Sequence, residues 1–253
     1  MAIVLTRAVP RTIDRCELTH LAREPIDLEL ARTQHEAYEG TLRRLGCILE
    51  RIEAADDFPD SVFVEDIAVV LDEVAVITRP GAASRRGETV GVERSLSQHR
   101  AIRRLTAPAT MDGGDVLRIG RTIYVGLSSR TNEEGARQLA AAAAPFGYTV
   151  ECVRVGGCLH LKSAITAVSE AVVLCNPEWV APRAFKGCEA IAVHPAEPYA
   201  GNVLRIGRSL VAAGGYPRTI DALRDRGCDV HLVDVSELAK AEAGVTCCSL
   251  IVV

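Results

Sequence analysis

The hexapeptide Val116-Leu-Arg-Ile-Gly-Arg121 recurs letter for letter as Val203-Leu-Arg-Ile-Gly-Arg208, and this recurrence decides the fold. Each copy is followed by an apolar strand, a Gly turn and an Arg-Thr pair, Arg130-Thr131 in one case and Arg218-Thr219 in the other. Asp115 and Asn202 stand immediately before the two copies, and similar strands follow Asp66 (Ile-Ala-Val-Val) and His160 (Leu-Lys-Ser-Ala-Ile). Cys247, at the head of the apolar, β-branched run Gly244-Val-Thr-Cys-Cys-Ser-Leu-Ile-Val-Val253, completes the series. Positions 66, 115, 160, 202 and 247 therefore mark five units of about 45 residues, a period typical of radial or stacked repeats whose units cannot bury their faces alone.

Within a unit the pattern is strand, turn, strand and helix. Arg130-Thr-Asn-Glu-Glu-Gly-Ala-Arg places cap-type residues before a helical run, and Tyr216-Pro-Arg-Thr to Gly227 has Pro at its start and Gly at its stop. Ala31, His35, Tyr38, Leu42 and Leu45 recur at helical spacing, so 27–46 is an amphipathic helix behind an Asp27 cap, with His35 a packed core residue. The fifth unit runs out at Val253 after one strand, which the run 244–253 supplies. The N-terminal strand 2–7 is expected to complete that unit and close the ring, protecting the sheet edges.

Composition sets limits on the function. Of the 253 residues 48% are hydrophobic and 25% charged, and no apolar run approaches the ~20 residues that span a bilayer. Lys and Arg number 29 against 33 Asp and Glu, a formal net charge of −4, which argues against a nucleic-acid or anionic-membrane surface and permits a cationic ligand. Nine cysteines without regular spacing fit reduced thiols in the cytoplasm, and neither they nor the six histidines cluster at zinc-ligand spacing. The N-terminus lacks the features of a signal peptide. The chain is expected to form a single domain over 1–253, as a monomer or homodimer.

Ring closure would bring Asp66, Asp115, His160, Asn202 and Cys247 to one central mouth. A thiol attacks as its thiolate, which requires a positive neighbour or a base, and His160 is the candidate partner of a Cys247 nucleophile. Asp112 in Met111-Asp-Gly-Gly-Asp115 could orient that imidazole. Asp60, Glu65 and Asp66 interleave with apolar residues, an arrangement that is costly unless something cationic meets it, and a planar guanidinium fits. Arg85 and Arg130 near the same rim are either solvated loop residues or a carboxylate clamp. Carboxylates for a guanidinium together with arginines for a carboxylate describe arginine or a derivative.

Asp60-Ser-Val-Phe-Val-Glu-Asp66, Thr78-Arg-Pro-Gly-Ala-Ala-Ser-Arg-Arg86, Asp112-Gly-Gly-Asp-Val116, Leu159-His-Leu-Lys-Ser163 and Thr246-Cys-Cys-Ser249 together resemble the dimethylarginine dimethylaminohydrolases, guanidine-modifying enzymes of the pentein fold. The resemblance spans essentially the whole chain. It implies a five-bladed α/β propeller with the active site on its axis. It also implies Cys247 as nucleophile, His160 as general acid/base and Asp112 as its carboxylate partner. Guanidinium contacts fall on Glu65 and Asp66, the substrate α-amino group on Asp60 and the Ala241 carbonyl, and the substrate carboxylate on Arg85 and Arg130. Leu18 matches a lid residue. The implied reaction releases dimethylamine or methylamine from a methylated arginine through a covalent thiouronium, leaving citrulline, with no cofactor and no metal.

Two departures from the family pattern bear on substrate preference: Ala241-Glu-Ala-Gly before the nucleophile, where relatives often carry a larger apolar residue and Asp-Gly, and Gly201 where Ala is usual. Strand alternation would turn Cys248 away from Cys247. Arginine or agmatine deiminases and guanidine dihydrolases share the same Cys, His and acid chemistry. An amidinotransferase would need room for a second amine, and a non-catalytic ribosome anti-association factor of the same fold would need none of these residues.

Overall fold

The computed structural model describes residues 1–252. The strands run, in chain order, β1 (Ile3–Arg7), β2 (Ile48–Ile52), β3 (Ala68–Val70), β4 (Val74–Ile77), β5 (Ala101–Arg104), β6 (Val116–Ile119), β7 (Thr122–Leu127), β8 (Thr149–Arg154), β9 (Ile165–Ala167), β10 (Val172–Cys175), β11 (Glu189–Ala192), β12 (Val203–Ile206), β13 (Ser209–Ala213), β14 (Asp229–Val233) and β15 (Leu250–Val252). They form five three-stranded sheets, β15-β1-β2, β3-β4-β5, β6-β7-β8, β9-β10-β11 and β12-β13-β14. In every sheet the middle strand pairs antiparallel with the first-named strand and parallel with the third. The parallel step needs a crossover. Helices α1 (Leu28–Arg44), α2 (Thr89–Leu96), α3 (Glu133–Ala143) and α5 (Pro217–Asp225) provide it in four sheets, while α4 (Leu161–Ala164) and α6 (Ser236–Ala239) are single turns.

The two hexapeptides are the hairpins β6-β7 and β12-β13, turned by Gly120 and Gly207 at φ of +58° and +61°, where a side chain would be strained. The N-terminal strand does complete the fifth unit. Ile3, Val4 and Leu5 of β1 face Val252, Ile251 and Leu250 across an antiparallel ladder, which joins the two ends of the chain. The short strands β3, β6, β9, β12 and β15 are the innermost, with β15 against β3 and β9 against both β6 and β12. This is the five-bladed α/β propeller that the family resemblance implies, and it agrees with the five-fold repeat.

Helix α1 buries Ala31, His35, Tyr38 and Leu42, and the Asp27 carboxylate caps it by accepting from the Glu29 and Leu30 amides at 3.0 Å. The run 244–253 departs from expectation, because only Leu250–Val252 is extended. Residues 245–248 form turns in which the Cys247 amide donates to the Gly244 carbonyl and the Ser249 amide to that of Thr246. Buried apolar runs carry no period that separates strand from buried turn. Likewise, Leu161 to Ala164 after His160 is a helical turn rather than strand, since Asp115 accepts from the Leu161 amide and the Ser163 amide donates to the His160 carbonyl.

Candidate active site

Each position of the five-fold series lies in the turn just ahead of an innermost strand: Asp66 in Val64–Ile67, Asp115 in Gly113–Asp115, His160 capping α4, Asn202 before β12 and Cys247 before β15. Three of them stitch their turn to the next one around the ring. Asp66 Oδ1 accepts from the Gly114 amide (3.0 Å), Asp115 Oδ1 from the Leu161 amide (2.9 Å) and Asn202 Oδ1 from the Thr246 amide (3.1 Å). His160 and Cys247 make no such stitch, and both line one narrow cavity with Asp60, Asp66, Arg130 and Ala241. Thiol, imidazole and carboxylates far apart in sequence thus meet at the mouth.

The His160 ring is fixed from both ends. Nε2 lies 3.1 Å from Asp112 Oδ2, and Nδ1 lies 3.8 Å from Asp66 Oδ1. Burial opposes protonation of the imidazole, but Asp66, the Asp112 hydrogen bond and Asp115 outweigh it and raise its pKa to about 9. Asp66 resists the opposing pull of its own burial through His160, Arg85 and the Gly114 amide, and falls to about 2. Gly114 is required between them: a Cβ there would stand 2.7 Å from His160 Nδ1 and 2.8 Å from Asp66 Oδ1. Asp112 itself is held by the Gly81 amide at 2.9 Å and lies 3.6 Å from Arg130 Nη1.

Cys247 is 9% exposed, and its Sγ accepts from the Gly244 amide at 3.3 Å. Burial, then Glu65 and Asp66, push its thiol well above the ordinary value. Cys248 is buried in the apolar cluster around Tyr38, away from the cavity, because of the turn rather than strand alternation. At Gly201 the backbone is tight: a Cβ would come within 2.8 Å of the Ala164 carbonyl oxygen.

Several expected binding residues have other partners in this structure. Glu65 does not line the cavity; its carboxylate meets Lys162 Nζ (2.6 Å) and the Thr246 hydroxyl (2.7 Å). Arg85, 3% exposed, is held by Asp66 at 2.6 Å, by both oxygens of Glu88 and by the Asp60 and Phe63 carbonyls, although it does reach the cavity wall. It pins Asp66 in place. Asp60 accepts from the Glu17 amide, and Arg130 reaches the Thr19 hydroxyl at 3.4 Å. Leu18 packs, half-buried, on the cluster containing Cys247, and its neighbour Glu17 lines the cavity. Lys162, Thr246, Glu88 and Glu242 are missed by the sequence reading. Of these, Lys162, two residues beyond His160, and Thr246, next to Cys247, lay inside recognised motifs.

The cavity lined by Glu17, His160 and Cys247 is only about 10 Å³, whereas a larger one of about 600 Å³ lies on the other side of Glu242 and Ala243, lined by Tyr199, Tyr216 and Asp234. Of the two, the small one alone contains the Cys247 thiol and the His160 imidazole. Asp66, Asp112 and His160 offer ligand atoms within 4.8 Å of one another, but Arg85, the Gly114 and Gly81 amides and the His–Asp hydrogen bond already engage them. Among the described residues no helix is long and apolar enough to cross a membrane.

Five small sheets around an axis, with a thiol, an imidazole and carboxylates at one mouth, define a pentein. Residues 17–187 match the family model described as N,N dimethylarginine dimethylhydrolase, eukaryotic. The chain is 44% identical to N(G),N(G)-dimethylarginine dimethylaminohydrolase of Streptomyces coelicolor over 92% of its own length and 90% of the relative's. The Pseudomonas aeruginosa enzyme, solved as a cysteine-to-serine mutant complexed with citrulline, superposes with a TM-score of 0.94 at 34% identity, covering 98% of both chains. A histidine-to-glycine dimethylarginine dimethylaminohydrolase solved as an adduct with S-methyl-L-thiocitrulline gives 0.93 at 34% identity and the same coverage. This chain belongs to the dimethylarginine dimethylaminohydrolase family.

Proposed function

We propose that the protein hydrolyses Nω-methylated arginines, converting asymmetric dimethylarginine or monomethylarginine and water to citrulline and dimethylamine or methylamine. The observation that carries this reading is Cys247 and His160 on one cavity wall with Asp66 and Asp112 bracketing the imidazole, in a chain of this family. The whole chain acts as one catalytic domain, and a cytoplasmic location suits its free thiols.

The substrate's α-amino group lies against Asp60 and the Ala241 carbonyl, under the Leu18 segment. Its carboxylate meets Arg130, with Arg85 adding positive field from the same wall. The guanidinium enters beside Asp66, backed by Glu65, and its charge favours the Cys247 thiolate that burial and these two carboxylates oppose. The thiolate sulfur bonds to the guanidinium carbon. His160, cationic below about 9, donates the proton on the nitrogen not bound to Asp112 to the departing amine as the carbon–nitrogen bond breaks. An S-alkylthiouronium remains. Neutral His160 then takes a proton from water, the resulting hydroxide attacks the same carbon, and carbon–sulfur cleavage releases citrulline and Cys247. Acid/base assistance of this kind contributes about 10²–10⁴-fold.

Incubation with asymmetric dimethylarginine, monomethylarginine, arginine and agmatine, with citrulline-type product and released amine measured, tests the assignment. Methylated substrates are turned over and Cys247→Ser abolishes that turnover. Turnover of arginine or agmatine alone would replace the assignment with a deiminase or dihydrolase.

A further inference from the structure

Lys162 sits in the helical turn capped by His160, with its side chain 17% exposed and its Nζ 2.6 Å from Glu65 Oε1. The other oxygen of Glu65 accepts from Thr246 Oγ1 at 2.7 Å. Asn202 Nδ2 donates to that hydroxyl oxygen at 3.0 Å and to the Lys162 carbonyl at 2.8 Å, closing a ring of four residues from four turns of the propeller mouth. Asn202 Oδ1 accepts the Thr246 amide, and the Glu65 amide donates to the Cys247 carbonyl at 3.1 Å. The ring therefore grips the nucleophile's peptide on both sides.

Its charges matter as much as its geometry. After burial itself, Glu65 is the strongest opponent of a thiolate at Cys247, ahead of Asp66. Burial pushes the Glu65 carboxyl up, and Lys162 leads the groups that pull it back. We propose that Lys162 is a positioning residue for the nucleophile: through Glu65, Thr246 and Asn202 its ammonium fixes the Cys247 peptide and cancels the carboxylate charge that opposes thiolate formation. This rests on Cys247 being the nucleophile, as in the function proposed above. The other ionisable groups facing the thiol are Asp66, His160, Asp60, Arg85 and Arg130, with Glu17 and Glu242 across the cavity and Cys248 behind. The Lys162 ammonium touches Glu65 and not Cys247 itself.

The test is the pH dependence of Cys247 alkylation by iodoacetamide, read by mass spectrometry on the full-length protein without substrate, beside kcat and KM for asymmetric dimethylarginine. Lys162→Met moves the alkylation midpoint alkaline by about one unit, leaving about tenfold less thiolate at neutral pH, and kcat falls in step while KM changes less. Lys162→Arg recovers most of the shift. The double variant Glu65→Gln/Lys162→Met, which buries no unpaired charge, returns the midpoint to the wild-type position and serves where the single variant does not fold. An unmoved midpoint in Lys162→Met, or a displaced one in the double variant, overturns the proposal. Loss of the substrate assignment would instead appear as wild-type protein that is alkylated normally yet turns over no methylarginine.

Discussion

At Gly114 one missing methyl group decides whether acid and base can face each other. Its amide donates to Asp66, and the space a Cβ would take is occupied by His160 Nδ1 and Asp66 Oδ1. Gly114→Ala forces the imidazole off Asp112 or the carboxylate off Arg85, overpacking that costs about 1–3 kcal/mol of stability. Its larger effect falls on chemistry: kcat drops about 100-fold or more with the far-UV circular dichroism spectrum unchanged, since a misplaced acid/base forfeits most of its contribution. A kcat within threefold of wild type would show that His160 does not need this geometry.

Between the regular elements, the segment 16–24 forms neither helix nor strand. It is held by carboxylates: Glu242, at φ +60°, accepts from the amides of Thr19 (3.0 Å), His20 and Leu21 (2.6 Å), while Asp60 accepts from Glu17 and Ser84 donates to Glu17 at 2.5 Å. A non-glycine residue in the left-handed region is retained only where its surroundings over-determine it, and three amide donors do so here. Glu242 also adjoins Ala241, whose carbonyl we assign to the substrate amino group. Glu242→Ala raises KM about tenfold with a smaller loss in kcat, and speeds proteolytic nicking within 17–24. Unchanged nicking and KM would mean that the segment is held by its other contacts.

On the scale of the whole molecule, two histidines bound the pH range of stability from opposite sides. His35, in α1, is fully buried with neither ring nitrogen hydrogen-bonded among the described residues, and Glu39 at 3.7 Å is taken by Thr6. Burial, with Arg51 nearby, lowers its pKa to about 4. Between about 4 and 6.5 the unfolded chain binds the proton that the folded one excludes, so stability is lost as pH is lowered through that window, by about 3 kcal/mol at most. His160 acts in the reverse sense. Its folded pKa is raised, so its contribution is complete below about 6.5 and is lost as pH rises through about 9. Urea unfolding from pH 4 to 10 therefore shows greatest stability near 6.5, and His35→Leu flattens the acid limb alone. An acid limb of unchanged slope in that variant assigns the loss to carboxylates instead.

The sequence by itself determined the five-fold repeat, the ring closure by strand 2–7 and the residues at the mouth, because hairpin and cap chemistry are local and a duplicated hexapeptide exposes the period. Cys247 and His160 were legible at one mouth because their places in the five-fold series put them there. Only the tertiary structure decided which carboxylate meets which cation. Arg85 and Glu65 read as ligands for a substrate, yet the fold gives Arg85 to Asp66 and Glu88 and gives Glu65 to Lys162 and Thr246. It also turned the residues before β15 and after His160 into tight turns. The physical reason is range: turns, caps and apolar periods are written within a dozen residues, whereas a buried charge must be matched by whatever partner the closed ring brings beside it.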